Sequence, residues 1–278
     1  MFEIKNAVDC SMEQLRNAMQ IAFSDYAIPL RLNEDAFTLM MRQRGLNRSC
    51  SRIALVEGQI VAIWLISVRA SKAYLISSGT IPSFRKRGIS RALAVDCIAG
   101  LRDKAVHSFQ TEVLRDNDKA AAFYYSLGME EQRLLDCYVV PAQGVSVGTM
   151  PQFSKLAWHA IENSVGLVRD WAPSWQNTDT SLAAIADHIT CFALSIDTGL
   201  SAYAAVSAQS GTVHQLAVRE GIRRNGIGAA LIRRVQCELP QTPLKFINVQ
   251  QDDQAFKSLM AHVGAQETIG QFELTMEL

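Results

Sequence analysis

An excess of charge of either sign is missing from this chain. Its 278 residues hold Lys+Arg 27 against Asp+Glu 27, so it lacks the basic surplus that grips nucleic acid or an anionic membrane surface. No apolar run approaches the ~20 residues that cross a bilayer, and the opening MFEIKNAVDC has none of the features of a secretory signal. The six cysteines (Cys10, Cys50, Cys97, Cys137, Cys191, Cys237) are scattered. None forms a CxxC pair or a Cys/His group with zinc spacing, and nothing resembles a disulfide framework. They read as small buried side chains in a reducing compartment, with no metal. Two well-known phosphate loops are absent as well. Gly226-Ile227-Gly228 is followed by Ala229-Ala230-Leu231, which breaks GxGxxG, and no GxxxxGK[ST] occurs. With 49% apolar and 19% charged residues, disorder is excluded too. What remains is a packed protein expected in the cytoplasm, binding a small molecule or peptide, with no nucleic-acid or membrane partner.

What is present is a basic cluster in an unexpected place. In TIPSFRKRGISRAL, Arg85, Lys86 and Arg87 precede Gly88 where a strand gives way to an apolar helical pattern at Ile89, Leu93, Val95 and Ile98. A helix N-terminus already carries partial positive charge and favours acids. The segment VREGIRRNGIGAAL repeats the pattern: Arg223, Gly226, Ile227, Ala230 and Leu231 each follow Arg85, Gly88, Ile89, Ala92 and Leu93 by 138 residues. The flanks repeat as well. RIALVEGQIVAIWLISVRA and AYLISSGTI read as three strands with a turn at Glu57-Gly58, and TCFALSIDTGLSAYAAVSAQSGTVHQLAV has the same shape. Each copy then shows a helix, a strand (SFQTEVL or LKFINVQ), a second helix and a final strand. A Gly- and Pro-containing connector from Pro141 to Pro151 separates them. The expected organisation is two α/β domains, 1–142 and 150–278, each a mixed, mostly antiparallel central sheet flanked by helices.

Cations at a helix start make sense if an anion completes the site. The first helical amides have no intrahelical acceptor, and a glycine lets a ligand come close to the backbone. Such an end suits phosphate, and two copies at the same junction argue for a duplicated pyrophosphate cradle.

On these residues the chain resembles the GNAT N-acetyltransferase superfamily in tandem. Arg85-x-x-Gly88-x-Ser90 and Arg223-x-x-Gly226-x-Gly228 match the Q/R-x-x-G-x-G/A signature, with Ser90 departing from it. The resemblance implies acetyl-coenzyme A as cofactor, its pyrophosphate on the turns Arg85, Lys86, Arg87, Gly88, Ile89, Ser90 and Arg223, Arg224, Asn225, Gly226, Ile227, Gly228. The preceding strand segments, Ser78 to Ile81 (with Thr80 and Ile81 at its end) and Leu216 to Val218, would pair with the pantetheine arm. NDKAAAFYYSLGM resembles a further family segment, which assigns Asn117 to the cofactor and Tyr124 to protonation of the departing thiolate. A phenol stays protonated at neutral pH and can donate there. Glu112, on SFQTEVL, is the candidate base or substrate anchor.

In the second copy Gly264 pairs with Gly128, and Met260 stands where the first has Tyr124. Methionine donates no proton, so the first half is expected to carry the chemistry and the second to bind cofactor or serve as scaffold. Substrate contacts are expected at Tyr26 and Leu30, near the helix break at Pro29. His214 reads as a satisfied core residue. The activity implied is acetyl transfer to the primary amine of a small molecule or peptide. Two alternatives stay open: catalysis in the second half, and a non-catalytic acyl-coenzyme A sensor.

Overall fold

The computed structural model describes residues 1–26, 32–142, 151–197 and 199–278. Leu30 and Pro29 lie outside them. The chain divides into two compact units. Unit 1 comprises Met1–Glu112, Ala122–Glu130 and Leu274–Leu278, and unit 2 comprises Val113–Ala121 and Glu131–Glu273.

Unit 1 begins with β1 (Glu3–Asn6), α1 (Met12–Ala22) and α2 (Glu34–Arg44). Ser11 and Gln14 start α1 with a reciprocal capping box, and Asn33 caps α2 by accepting from the Ala36 amide. Then come β2 (Arg52–Val56), β3 (Gln59–Arg69), β4 (Lys72–Thr80), α3 (Ile89–Arg102) and β5 (Ser108–Leu114), which belongs to unit 1 through Glu112, followed by α4 (Asp118–Tyr125), which belongs to it from Ala122. The β2–β3 hairpin turns at Glu57 and Gly58, both with positive φ (51° and 79°), the pairing a tight hairpin needs. The strands lie in the order β1-β2-β3-β4-β5. All neighbours are antiparallel except β4 and β5, which are parallel because α3 carries the chain back between them. α3 buries Ile89, Leu93, Ala94, Cys97, Ile98 and Leu101. Val95, expected on that stripe, is 58% exposed, since it falls off the i, i+4 face.

Unit 2 holds β6 (Glu130–Val140), β7 (Ser154–Ala157), α5 (Asp179–Ala184), β8 (Thr190–Ile196), β9 (Gly199–Ser207), β10 (Thr212–Val218), α6 (Ile227–Glu238), β11 (Leu244–Gln250), α7 (Gln254–His262) and most of β12 (Gln266–Glu277). Their order is β12-β6-β11-β10-β9-β8-β7, with only β10 and β11 parallel among the pairs β11–β6, β10–β11, β9–β10, β8–β9 and β7–β8. β6 comes from the first half of the chain yet pairs along β11. Arg133 on β6 fastens it further with a two-pronged contact to the buried Glu273 at 2.9 and 3.0 Å. Conversely, the last residues of the chain belong to unit 1, where the Leu278 amide donates to the His107 carbonyl at 3.0 Å. The expected mixed, mostly antiparallel sheets with flanking helices are found in both units. The short strands β1 and β7 were not anticipated; four residues give too little alternation to register as strands.

His214 sits on β10 inside a polar network. The Asn177 side-chain nitrogen donates to the Ile247 carbonyl at 2.8 Å, so its oxygen accepts from the His214 Nδ1–H at 3.0 Å. Nε2 then accepts from the Ser207 hydroxyl at 2.9 Å. Both ring nitrogens serve the neutral form, and burial pushes the imidazole down to about 4.

Two outcomes are expected. Leu274 is fully buried, so Leu274→Ala should lower unfolding free energy by about 2–5 kcal/mol, read from denaturant midpoints; a loss below ~1 kcal/mol would show that the chain's end is not packed as described. His214 binds its proton more weakly folded than unfolded, so its contribution is full above pH 6.5 and fades as pH falls toward 4. Wild type should therefore lose stability faster than His214→Gln across that interval, and parallel curves would refute the assignment.

Candidate functional site

The site of unit 1 begins with two strands that stop pairing. β4 and β5 share parallel rungs only at Lys72↔Ser108, Ala73↔Phe109 and Tyr74↔Gln110. Beyond them β4 runs on to Thr80 and β5 to Glu112 without further rungs, the Thr111 hydroxyl donating to the Leu75 carbonyl at 3.3 Å, and the parting strand edges form the candidate cleft. β4 also carries an extra residue: Leu65 pairs with Ser77 but Ile66 with Leu75, leaving Ile76 bulged.

That bulge decides which side chains face which side. Tyr74 pairs with Ser67 and Ser78 with Trp64. Residues 64 and 67 point to opposite faces of β3, so Tyr74 and Ser78 do as well; an unbulged strand would put them on the same face. The α1 side is identified by Gly79, where a Cβ would meet the Ala22 Cβ at 2.9 Å and the Phe23 ring at 3.1 Å. Gly79 pairs with Ile63, so Tyr74 shares its face. The α3 side is identified by Thr80, whose hydroxyl lies 2.8 Å from that of Ser90, and Ser78 shares that face.

Each face presents one proton-handling group. On the α1 side, the Tyr74 hydroxyl donates to Glu112 Oε2. Glu112 lies two residues past the last rung on β5, in the mouth of the cleft. On the α3 side, Tyr124 at the end of α4 shares a hydrogen bond of 3.0 Å with Ser78, and its ring packs edge-on against Trp64, centroids 6.4 Å apart. Desolvation pushes its phenol up to about 12, with the Ser78 contact pulling the other way, so it holds its proton at neutral pH.

Above the cleft, Lys86 and Gly88 both have positive φ (60° and 76°). Among the described residues, the amides of 86–91 have no protein acceptor; the first helical bond is Ala92 to the Gly88 carbonyl at 3.0 Å. A Cβ at Gly88 would meet nothing within 4 Å. A turn of outward amides with open space beside it fits a diphosphate. Arg85 is engaged within the protein. Its Nε donates to the Thr80 carbonyl at 3.0 Å, its Nη1 and Nη2 to the Asp25 carboxylate at 2.5 and 2.8 Å, and its Nη2 also to the Ala22 carbonyl at 2.9 Å.

Unit 2 repeats the backbone devices. β10 bulges at His214, since Val213 pairs with Val206 and Gln215 with Ala205. The β10–β11 rungs end after Val213↔Phe246. Arg224 and Gly226 have φ of 65° and 75°, and the amides of 224–229 have no acceptor among the described residues. Arg223 Nε donates to the Val218 carbonyl at 2.7 Å and Nη2 to Asp170 at 2.7 Å. A cavity of about 450 Å³ opens below the turn, walled by Trp171, Leu216, Phe246, Phe256 and Leu259. The chemistry is not repeated. Met260 holds the Tyr124 place: the Ala265 amide donates to its carbonyl as the Met129 amide does to that of Tyr124, at 2.9 and 3.2 Å. β11, LKFINVQ, has no carboxylate. Gly228 replaces Ser90 because a Cβ there would meet Leu259 at 3.0 Å, whereas in unit 1 the Ser90 hydroxyl has Thr80 as partner.

The expected residues thus separate. Thr80, Ile81 and residues 85–90 form one continuous strand-turn-helix junction, Val218 and residues 223–228 another, and Tyr124 and Glu112 meet the first cleft from its two faces. Asn117 lies in unit 2, its side chain accepting from the Ala120 amide at 3.2 Å as a helix cap. Tyr26 is 39% exposed, with its ring against Phe23. Tyr74 was missed, and Ser78, expected on the strand that pairs with the pantetheine arm, was not foreseen as the partner of Tyr124. The only sequence signal was hydroxyls on a strand otherwise rich in apolar residues. The described residues contain no cluster of His, Cys, Asp or Glu able to hold a metal, and no described helix is long and apolar enough to cross a membrane.

The chain is similar to known proteins in sequence and in fold. Residues 12–129 match the Acetyltransferase (GNAT) family model. The [Ribosomal protein bS18]-alanine N-acetyltransferase of Salmonella typhimurium is 29% identical over 134 residues, spanning 48% of this chain and 86% of that one. Over the whole length, the tandem GNAT protein from the clavulanic acid biosynthesis pathway superposes with a TM-score of 0.72 at 15% identity, covering 100% of this chain and 98% of its own. A GCN5-related N-acetyltransferase from Sphaerobacter thermophilus gives 0.74 at 12% identity, covering 99% and 95%. Residues 12–129 are thus similar to the GNAT acetyltransferases, and over its full length the chain has the fold of the tandem GNAT proteins.

Proposed function

We propose that the protein is an acetyl-coenzyme A-dependent N-acetyltransferase that acts by direct transfer, with its chemistry in unit 1. The observation carrying this reading is that Glu112 and Tyr124 approach one cleft from opposite faces of the sheet. Acetyl-coenzyme A, when bound, supplies a thioester whose acyl carbon an amine can attack. Glu112, held by Tyr74, takes the proton from the attacking nitrogen on the α1 side. Tyr124 gives its proton to the sulfur on the α3 side. The C–N bond forms as the C–S bond breaks, and solvent restores both groups. The amides of the 86–90 turn, with Lys86 and Arg87, hold the diphosphate, and the free edge of β4 at Thr80 and Ile81 takes the pantetheine arm.

The acceptor is the primary amine of a small molecule or peptide. The likeness to an enzyme acting on a ribosomal protein's alanine supports a peptide N-terminus. A second role falls to unit 2, whose cavity and 223–228 turn suit the same ligand class but carry no counterpart of Tyr124 or Glu112, so that it binds without reacting. Buried thiols at Cys10, Cys50, Cys97, Cys137 and Cys191 fit the reducing cytoplasm as the place of work.

The test is release of free thiol from acetyl-coenzyme A against a panel of amines and alanine-starting peptides. Tyr124→Phe and Glu112→Gln should each lower kcat by about 10²–10⁴, with little change in coenzyme A affinity. Wild-type turnover in both variants would reject unit 1 as the active half. Calorimetry of coenzyme A with the full chain should find two sites, only one of which supports turnover. A single site in unit 1 would make unit 2 a scaffold.

A further inference from the structure

We propose that Arg85 and Arg223 are positioning residues, each clamped by an acid so that its fork fixes the strand end from which the amide turn hangs, and that neither contacts phosphate. This rests on reading the turns as coenzyme A diphosphate sites.

A guanidinium has five donors in a rigid fork. At Arg85 the fork joins three separate pieces of unit 1: the last carbonyl of β4 at Thr80, the last carbonyl of α1 at Ala22, and both oxygens of Asp25. A cation at a helix C-terminus is well placed against the dipole, and bidentate pairing with a carboxylate adds a defined angle. Little of the fork is left for a ligand. The pairing recurs in unit 2, where Arg223 binds the Val218 carbonyl and Asp170. The recurrence is informative because the lead-ins differ. Asp25 follows the regular helix α1, while Asp170 follows only short 3₁₀ turns before α5. Two unlike segments deliver an acid to the same arginine, so the acid answers to the arginine and not to its own element.

The two readings of Arg85 predict opposite signs. If the guanidinium were a phosphate ligand held in reserve, Asp25→Asn would free it and remove a nearby negative charge, and coenzyme A would bind more tightly. If it is a clamp, the same change loosens the strand end and weakens binding. The added positive charge could mask this at low salt, but screening beyond ~8 Å at physiological ionic strength limits that effect. Lysine sharpens the contrast, because it serves well as a point charge for phosphate but cannot hold a strand carbonyl, a helix carbonyl and a carboxylate at once.

Calorimetric titration of the full-length chain with coenzyme A, at about 0.15 M salt and again at higher salt, decides between them. Asp25→Asn should weaken the unit 1 site about two- to fivefold, and Arg85→Lys about tenfold, with melting temperatures near wild type since both side chains lie at the surface. Asp170→Asn should spare unit 1 and weaken only the second site. Tighter or unchanged binding in Asp25→Asn, or wild-type affinity in Arg85→Lys, overturns the clamp. Failure of the wild-type chain to bind coenzyme A would overturn the diphosphate reading itself, a result distinguishable because no variant is involved.

Discussion

The parting of β4 and β5 after Tyr74↔Gln110 is the constraint from which the candidate site follows. A paired parallel ladder would satisfy the strand edges and leave no room between them. Once the strands diverge, edge groups lose their ladder partners; the Leu75 carbonyl accepts from the Thr111 hydroxyl and the Thr80 carbonyl from Arg85. The bulge at Ile76 then turns β4 so that Tyr74 and Ser78 face opposite sides. Direct transfer between two bound molecules needs a proton acceptor on the side of attack and a donor on the side of departure. A sheet perforated by a cleft supplies two sides; without the extra residue, both hydroxyls would crowd one of them.

Duplication shows which parts of this design belong to the fold and which to the chemistry. The bulge, the early end of the parallel ladder, the paired positive-φ residues and the acid-clamped arginine occur in both units. These are backbone devices. The hydroxyl and carboxylate proposed to handle protons, Tyr124 and Glu112, occur in one. Met260 keeps the burial and the backbone contact of Tyr124 while removing the donor.

Much of this was legible in the sequence, for identifiable reasons. The basic glycine turns, the hairpins and the two buried helix faces rest on local rules of spacing and φ, which a sequence displays directly. What was not legible depends on contacts across long separations. Tyr74 matters only because β5 brings Glu112 beside it, and Asp25 only because α1 ends over the 85–88 turn. Likewise, the pairing of β6 with β11 cannot be read from either strand, since both alternate acceptably for any neighbour. Val95 failed for a simpler reason: apolar character alone does not fix a face.

The placement of cations at a helix start now has a more exact physical reading. In RKRG the three charges are not equivalent. Arg85 is neutralised by Asp25 and directed backward onto strand and helix carbonyls, so it adds little to the field felt at the turn. Arg87 donates to the Ser83 carbonyl at 3.0 Å, with its guanidinium 5.0 Å from the centre of the Phe84 ring. Lys86 stands at the positive-φ position. The attraction for an anion therefore comes mainly from the row of amides, whose geometry is fixed by the left-handed residues Lys86 and Gly88, with the outer cations adding a screened, longer-range pull. A diphosphate is recognised by directed hydrogen bonds whose angles depend on the strand end staying in place. That dependence explains why a motif arginine is more useful as a brace than as one more charge.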